Sequence, residues 1–108
     1  MGKDKPFASV IICSRNRREC LEKYSLLSVS KLAYPNYEVI VIDDNSTDGT
    51  AAYLNNYQGL AGRLKIIRNG RSRGLAQARN LGVYYAGGEI VAFMDDDCFV
   101  ESNWLDEI

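Results

Sequence analysis

The chain has 108 residues, enough for one small domain and too few for two ordinary ones. Hydrophobic residues make up 46% and charged residues 25%, a balance without the signature of disorder, and a net charge of -1 gives no global argument for nucleic acid or an anionic membrane as partner. The absence of histidine excludes every His-dependent triad or metal site within the chain, while Cys13, Cys20 and Cys98, without metal or redox spacing, read as free thiols of a reducing compartment.

Residues 1–6 are expected to be a lead-in, disordered or added by cloning, ahead of a domain over residues 7–108. Met1-Gly2-Lys3-Asp4-Lys5 lacks the apolar centre of a signal peptide, and no apolar run in the chain approaches the length of a membrane span. A cytoplasmic protein is therefore expected, or one on the cytoplasmic face of a membrane, with any membrane association made through parts outside this chain.

Ala8 to Cys13 is the first short apolar run and a central strand. Asn16 and Glu19 have the spacing of a helix capping box, and Cys20, Leu21, Tyr24 and Leu27 follow at helical spacing, so a helix is expected to about Lys31, ending before Pro35. Tyr37 to Ile42 is a second strand. Thr47-Asp48 then supplies a cap and a first-turn acid for a short helix to about Tyr57. Leu64 to Arg68 is a brief third strand, and Leu75, Ala78, Leu81 and Tyr85 mark one face of the helix that Gly87-Gly88 stops. Glu89 to Met94 is a fourth strand, and Ser102 to Ile108 reads as the start of another helix.

The alternation of strands and helices demands an α/β fold: an open, Rossmann-like parallel sheet of about four strands with flanking helices. Right-handed crossovers place strands one, two and three successively outward, and the fourth either continues outward or returns beside the first. The second case, order 3-2-1-4, opens a crevice at the carboxyl ends of the strands, where open α/β sheets bind ligands. Polar clusters at those ends support it: Ser14-Arg15-Asn16, Asp43-Asp44 and Asp95-Asp96-Asp97.

Strand alternation points Asp95 and Asp97 one way and Asp96 the other. Like charges this close repel unless a cation or many donors neutralise them, and an all-oxygen set suits Mg²⁺ or Mn²⁺. The competing reading is an acidic loop capping the following helix, but a position across the crevice from Asp43 and Ser14 favours the metal. Asp43 could accept from a base N–H or a ribose hydroxyl, or could cap the next turn. The first turn holds no glycine, so any phosphate must be held by metal and side chains. Arg63, Lys65, Arg68, Arg71, Arg73 and Arg79 precede this acidic end, either as a solvated face or as a means of holding an anion beside a cation.

Four ordered blocks resemble the family 2 glycosyltransferases of GT-A fold: Ser9 to Arg17, Tyr37 to Thr50, Gly74 to Gly82, and Phe93 to Asp97. The resemblance implies the N-terminal, nucleotide-sugar-binding half of a metal-dependent enzyme that transfers a sugar from a nucleotide-diphosphate donor, a UDP-sugar favoured, to an unknown acceptor in cell-wall or polysaccharide biosynthesis. By the same resemblance Ser14 and Asn16 would line the base pocket and Asp43 would accept from the base. Arg73 and Gly74 would border the nucleotide, with Arg79 anchoring that region through carboxylates or serving only in a structural ion pair. Asp95 and Asp96 would approach the ribose and the Mn²⁺ or Mg²⁺ ion, with Asp97 and Asp95 as metal ligands. Three positions depart from the family pattern: Cys13 where proline is common, Arg15 where an aromatic residue is common, and Cys98 where another acid often follows. The family's catalytic domain continues past this length, so a truncated chain is expected, with its catalytic base elsewhere and a fourth strand whose exposed edge invites a second copy. A nucleotide-diphosphate-binding half-domain without turnover is the alternative. A phospho-receiver domain is disfavoured, because strand one ends in Ser14-Arg15-Asn16 and no lysine follows Lys65.

Overall fold

The computed structural model of the chain describes residues 5–108. The expected lead-in falls outside the described residues for 1–4. The two described residues of that stretch are tied to the fold: Lys5 pairs with Asp106, and the Pro6 carbonyl accepts from the Tyr34 hydroxyl.

Among the described residues the sheet has four strands, β1 (Ala8–Ser14), β2 (Tyr37–Asp43), β3 (Leu64–Arg68) and β4 (Ile90–Asp95), all parallel in the order β3-β2-β1-β4. This is the expected 3-2-1-4 arrangement. The two central strands are apolar throughout because both their faces are covered, as a parallel sheet requires. On one face Val10, Ile12, Val39 and Val41 pack with Leu21, Leu26, Val29 and Leu54, which come from a helix over residues 18–29 (α1) and from Thr50–Asn55 (α2). On the other face Ile11, Ile40 and Ile42 meet Ala78 of the helix Leu75–Tyr85 (α3).

Each strand ends a residue later than its apolar run. The register aligns Ser14 with Asp43 and Cys13 with Asp95, so strand pairing itself brings three polar ends together. No described helix is long and apolar enough to cross a membrane.

Four local expectations are corrected. Asn16 does not cap α1. It adopts a left-handed backbone (φ 57°), and its Oδ1 accepts from the Thr47 N–H at 2.6 Å, so the side chain ties the β1 turn to the β2 turn while α1 starts at Arg18. The second helix starts at Thr50 and ends at Asn55, with Asp48 Oδ1 accepting from the Thr50 N–H at 3.1 Å. On α3 the buried residues are Ala78 and Gly82, whereas Leu75 and Tyr85 are half exposed. Small residues let this helix lie close to the sheet, which leaves the larger flanking side chains uncovered. The residues after Ser102 form a 3₁₀ turn, Trp104–Glu107, where a helix was expected.

Candidate functional site

A cavity of about 470 Å³ opens at the carboxyl ends of β1 and β4. Cys13, Ser14, Arg15 and Arg17 form one wall, Asp95, Asp96 and Asp97 the second, and Asp44, Ser72, Gly74, Leu75 and Ala78 the third. This is the crevice that the strand order produces, since the crossover leaving β1 lies on one face of the sheet and the one entering β4 lies on the other.

The acidic wall is differentiated by burial. β4 ends at Asp95, and Asp96 and Asp97 stand in the turn that follows. Asp96 and Asp97 share one neighbour, Arg17, whereas Asp95 has Arg79 as its neighbour, and all three line the cavity. Asp96 is 8% exposed, and both its oxygens are engaged: Oδ2 accepts from the Ser14 hydroxyl at 2.9 Å and Oδ1 from Arg17 Nε at 2.9 Å. Asp97 is exposed, with Oδ2 at 3.2 Å from Arg17 Nη2. The Asp95 side chain is 75% exposed, and its Oδ1 lies 3.9 Å from Arg79 Nη2, an ion pair too long to be a hydrogen bond. Arg79 also covers the Phe93 ring, its guanidinium carbon 5.7 Å from the centroid. The Coulombic field of Asp96, with its hydrogen bond and the charge of Asp97, raises the pKa of Arg17 further, so this cation is permanent.

Asp44 organises the third wall. Its Oδ1 accepts from Asn69 Nδ2 at 2.7 Å and from the Arg73 N–H at 2.9 Å, and its Oδ2 accepts from the Ser72 hydroxyl and the Gly74 N–H, each at 3.0 Å. Burial alone would push this carboxyl up, but these bonds outweigh it and hold the group down at about 2. One carboxylate thus shapes the whole loop between β3 and α3, including Gly74, whose φ of 89° favours a glycine.

The predicted residues divide accordingly. Ser14, Gly74, Asp95, Asp96 and Asp97 line the cavity. Asp43 does not reach it: fully buried, it accepts from Arg68 Nη1 at 2.7 Å and from the Ser46 N–H at 2.9 Å, on the α1 and α2 side of the sheet. Asn16 is turned toward Thr47 and outlines a separate shallow depression with Glu19 and Asp48. Arg73 reaches Asp44 only through its backbone, and its side chain lines a surface groove with Gln77 and Asn80. Arg79 lies beyond Asp95 and does not line the cavity.

Asp44, Cys13, Arg15, Arg17, Ser72, Leu75 and Ala78 are the lining residues that the sequence did not assign to the site. Parity along β2 identifies the first only once the face covered by α1 is known. Val39 and Val41 face α1, which puts Asp43 on the same side, so the next residue is free to turn toward α3. Burial raises the Cys13 thiol to about 11, with Arg79 opposing and Asp44 and Asp96 adding to the rise, so it contributes a neutral wall and not a nucleophile.

The donor set suits a hard divalent cation. Asp95 and Asp97 present exposed carboxylates, while among the described residues no group of three or more Asp, Glu, Cys or His side chains is placed to hold a metal ion by itself. One or two carboxylates completed by water and phosphate oxygens is the usual arrangement for Mg²⁺.

Comparison with known proteins extends this picture. The profile of the family described as Glycosyl transferase family 2 matches residues 9–108. The chain is 37% identical over 108 residues to Glycosyltransferase AglE of Haloferax volcanii, covering 98% of this chain and 35% of that protein. Among solved structures, the mannosyltransferase PcManGT from Pyrobaculum calidifontis, in complex with GDP-Man and Mn²⁺, superposes with a TM-score of 0.83 at 29% identity, covering 94% of this chain and 30% of that one. TarS residues 1–349 from S. aureus, in complex with UDP-GlcNAc, superposes with a TM-score of 0.82 at 29% identity, covering 94% and 29%. The chain spans about a third of the length of the curated relatives it matches.

Proposed function

The chain belongs to glycosyl transferase family 2, and from that membership we propose that the cavity at the ends of β1 and β4 binds a nucleotide-diphosphate sugar together with Mn²⁺ or Mg²⁺, as the donor side of a sugar-transfer enzyme. The observation that carries this reading is the meeting of two kinds of wall in one cavity of about 470 Å³: exposed carboxylates on one side, and on the other a loop edge fixed by Asp44. The complexes of two solved relatives, one with GDP-Man and Mn²⁺ and one with UDP-GlcNAc, support the same ligand class.

In this reading Asp97 and Asp95 hold the cation, which when bound supplies positive charge to offset the charge gathering on a leaving diphosphate. Asp96, occupied by Ser14 and Arg17, fixes the β4 turn and borders the ribose. Ser14, Arg15 and Cys13 form the wall against the base, and a guanidinium at Arg15 can stack on it. Asp44 takes the role expected of Asp43, because its carboxylate faces the cavity while that of Asp43 is sealed beneath Arg68. Arg73 and Arg79 act from outside, the first by closing the loop onto Asp44 and the second by steadying Asp95. A UDP-sugar is the favoured donor and the acceptor is unassigned. The exposed edge of β4 pairs with a second copy of the chain.

A thermal-shift comparison of UDP-, GDP- and dTDP-sugars with and without Mn²⁺ tests the assignment. A ligand bound at a hundred times its Kd raises stability by about 2.7 kcal/mol. One base series is expected to raise the midpoint, with a further rise on adding Mn²⁺, and Asp97→Asn is expected to remove that further rise while keeping the first. If Asp97→Asn responds to Mn²⁺ as fully as the wild type, the metal assignment is wrong. A turnover assay on the same chain separates a transferase from a donor-binding half that turns nothing over.

A further inference from the structure

Three consecutive carboxylates must be stable in the free chain before any metal arrives, and one side chain meets two of them. Arg17 lies at the start of α1, and its guanidinium spans two of them, with Nε on Asp96 Oδ1 at 2.9 Å and Nη2 on Asp97 Oδ2 at 3.2 Å. The two contacts are unequal. The Asp96 side chain is 10% exposed and is also held by the Ser14 hydroxyl at 2.9 Å, so that contact lies in a low-dielectric setting with its partner fixed. The Asp97 side chain is 57% exposed, and solvent-screened pairs of this kind contribute little. A planar fork can keep one edge on a fixed carboxylate while its other edge changes partner, which a lysine ammonium cannot do.

We propose that Arg17 is a positioning residue acting as a displaceable counterion: anchored on Asp96 through Nε, it neutralises Asp97 in the free chain, yields Asp97 to a divalent cation, and offers the freed Nη2 edge to the anion that accompanies that cation. This rests on the cavity being the donor site proposed above. Its consequence is a coupling between cation and nucleotide diphosphate that neither ligand would have alone. A cation arriving by itself competes with Arg17 for Asp97 and leaves the Nη2 edge unpaired, whereas in the presence of a diphosphate the same edge gains a new acceptor. By linkage each ligand must then strengthen the other by the same factor.

The test is the binding of Mn²⁺ alone, followed by free-ion electron paramagnetic resonance, and of Mn²⁺ with UDP or GDP saturating, in wild type, Arg17→Gln and Arg17→Lys. Arg17→Gln removes the competitor for Asp97 and is expected to bind Mn²⁺ alone about two- to fivefold more tightly. It should also lose the mutual enhancement by the nucleotide, which in the wild type is expected in the usual range of about 5- to 150-fold. These opposite signs are what a merely structural residue would not give, because its loss would weaken both. Arg17→Lys keeps the charge and provides a second reading should the glutamine variant be unstable. It is expected to hold Mn²⁺ alone within about twofold of wild type and still to lose most of the enhancement. Unchanged or weakened Mn²⁺ binding in Arg17→Gln, or enhancement that survives in either variant, overturns the role of Arg17 and leaves the donor site standing. A wild type that shows no enhancement with UDP or GDP overturns the donor-site reading and this inference with it.

Discussion

At the scale of single residues, the site depends most on Asp44, whose carboxylate accepts two side-chain and two main-chain hydrogen bonds from the loop between β3 and α3. Its pKa is about 2 against an ordinary 3.8, so the folded state holds fewer protons here than the unfolded state in that interval. The stability this provides is fully present above about pH 5 and is lost as pH falls through 3.8 toward 2, amounting to about 2 kcal/mol. Asp44→Asn is expected to cost about that much at pH 7 and to flatten the acid side of the stability profile between pH 5 and 2, as read by urea unfolding at a series of pH values. An unaltered acid limb would show that the loop is held by something else. A nucleotide should stabilise the variant less than the wild type, since the same loop edge forms a wall of the cavity. The sequence showed an acidic pair at the end of β2 but not which member turned inward, because both faces of that strand are apolar and the pattern carries no label for inside and outside.

At the scale of elements, the strand assignments were legible and the helix ends were not. Short runs such as Val39-Ile40-Val41-Ile42 leave few alternatives when they alternate with helices, and crossover handedness together with the polar strand ends then favours the order. The start of α1 failed because a side chain satisfied a distant partner instead of a local one. Asn16 fits a capping box in sequence, yet its oxygen is used by Thr47, 31 residues away. The face of α3 failed for a related reason: periodicity weighs Leu75 and Tyr85 heavily, while the actual contact is made by Ala78 and Gly82. A Cβ on Gly82 would lie 2.5 Å from Ile11 Cγ2, so the helix sits as close to β1 as it does only because that position has no side chain. Gly82→Ala is expected to cost about 1–3 kcal/mol through overpacking. Ile11→Ala made in the same chain should recover part of that cost, an interaction of the sign expected for residues sharing one volume. Strictly additive single and double variants in chemical denaturation would mean that α3 moves away freely. Because Gly74 and Leu75 line the cavity at the start of this helix, such a movement should also weaken nucleotide binding.

At the scale of the whole chain, the order β3-β2-β1-β4 leaves two sheet edges among the described residues, and they are unlike each other. β3 is flanked and punctuated by charge: Lys65 pairs with Glu38 at 2.9 Å, Arg68 with Asp43 at 2.7 Å, and Arg63 covers the Tyr37 ring, its guanidinium carbon 4.5 Å from the centroid. Charges of this kind are how edges resist pairing. β4 is guarded more thinly, by Arg79 over the Phe93 ring, and Val91 and Phe93 are still 37% and 46% exposed because α3 lies over β1 and β2 instead. An unpaired edge beside an apolar face favours a second β4 related by a two-fold axis, the isologous arrangement in which one patch serves as both partners. Sedimentation equilibrium is therefore expected to show a concentration-dependent dimer for this chain. Val91→Lys should move it to monomer with stability changed by no more than about 0.5 kcal/mol, as for a surface substitution away from buried features. The two-fold pairing would bring two acidic β4 ends, Asp95 to Asp97 of each copy, to opposite ends of one extended sheet, so the cavities remain separate and each should bind ligand independently. If the chain sediments as a monomer at every accessible concentration, or if Val91→Lys leaves the dimer intact, the surface joining copies is not β4, and its apolar face must be buried by something other than this chain.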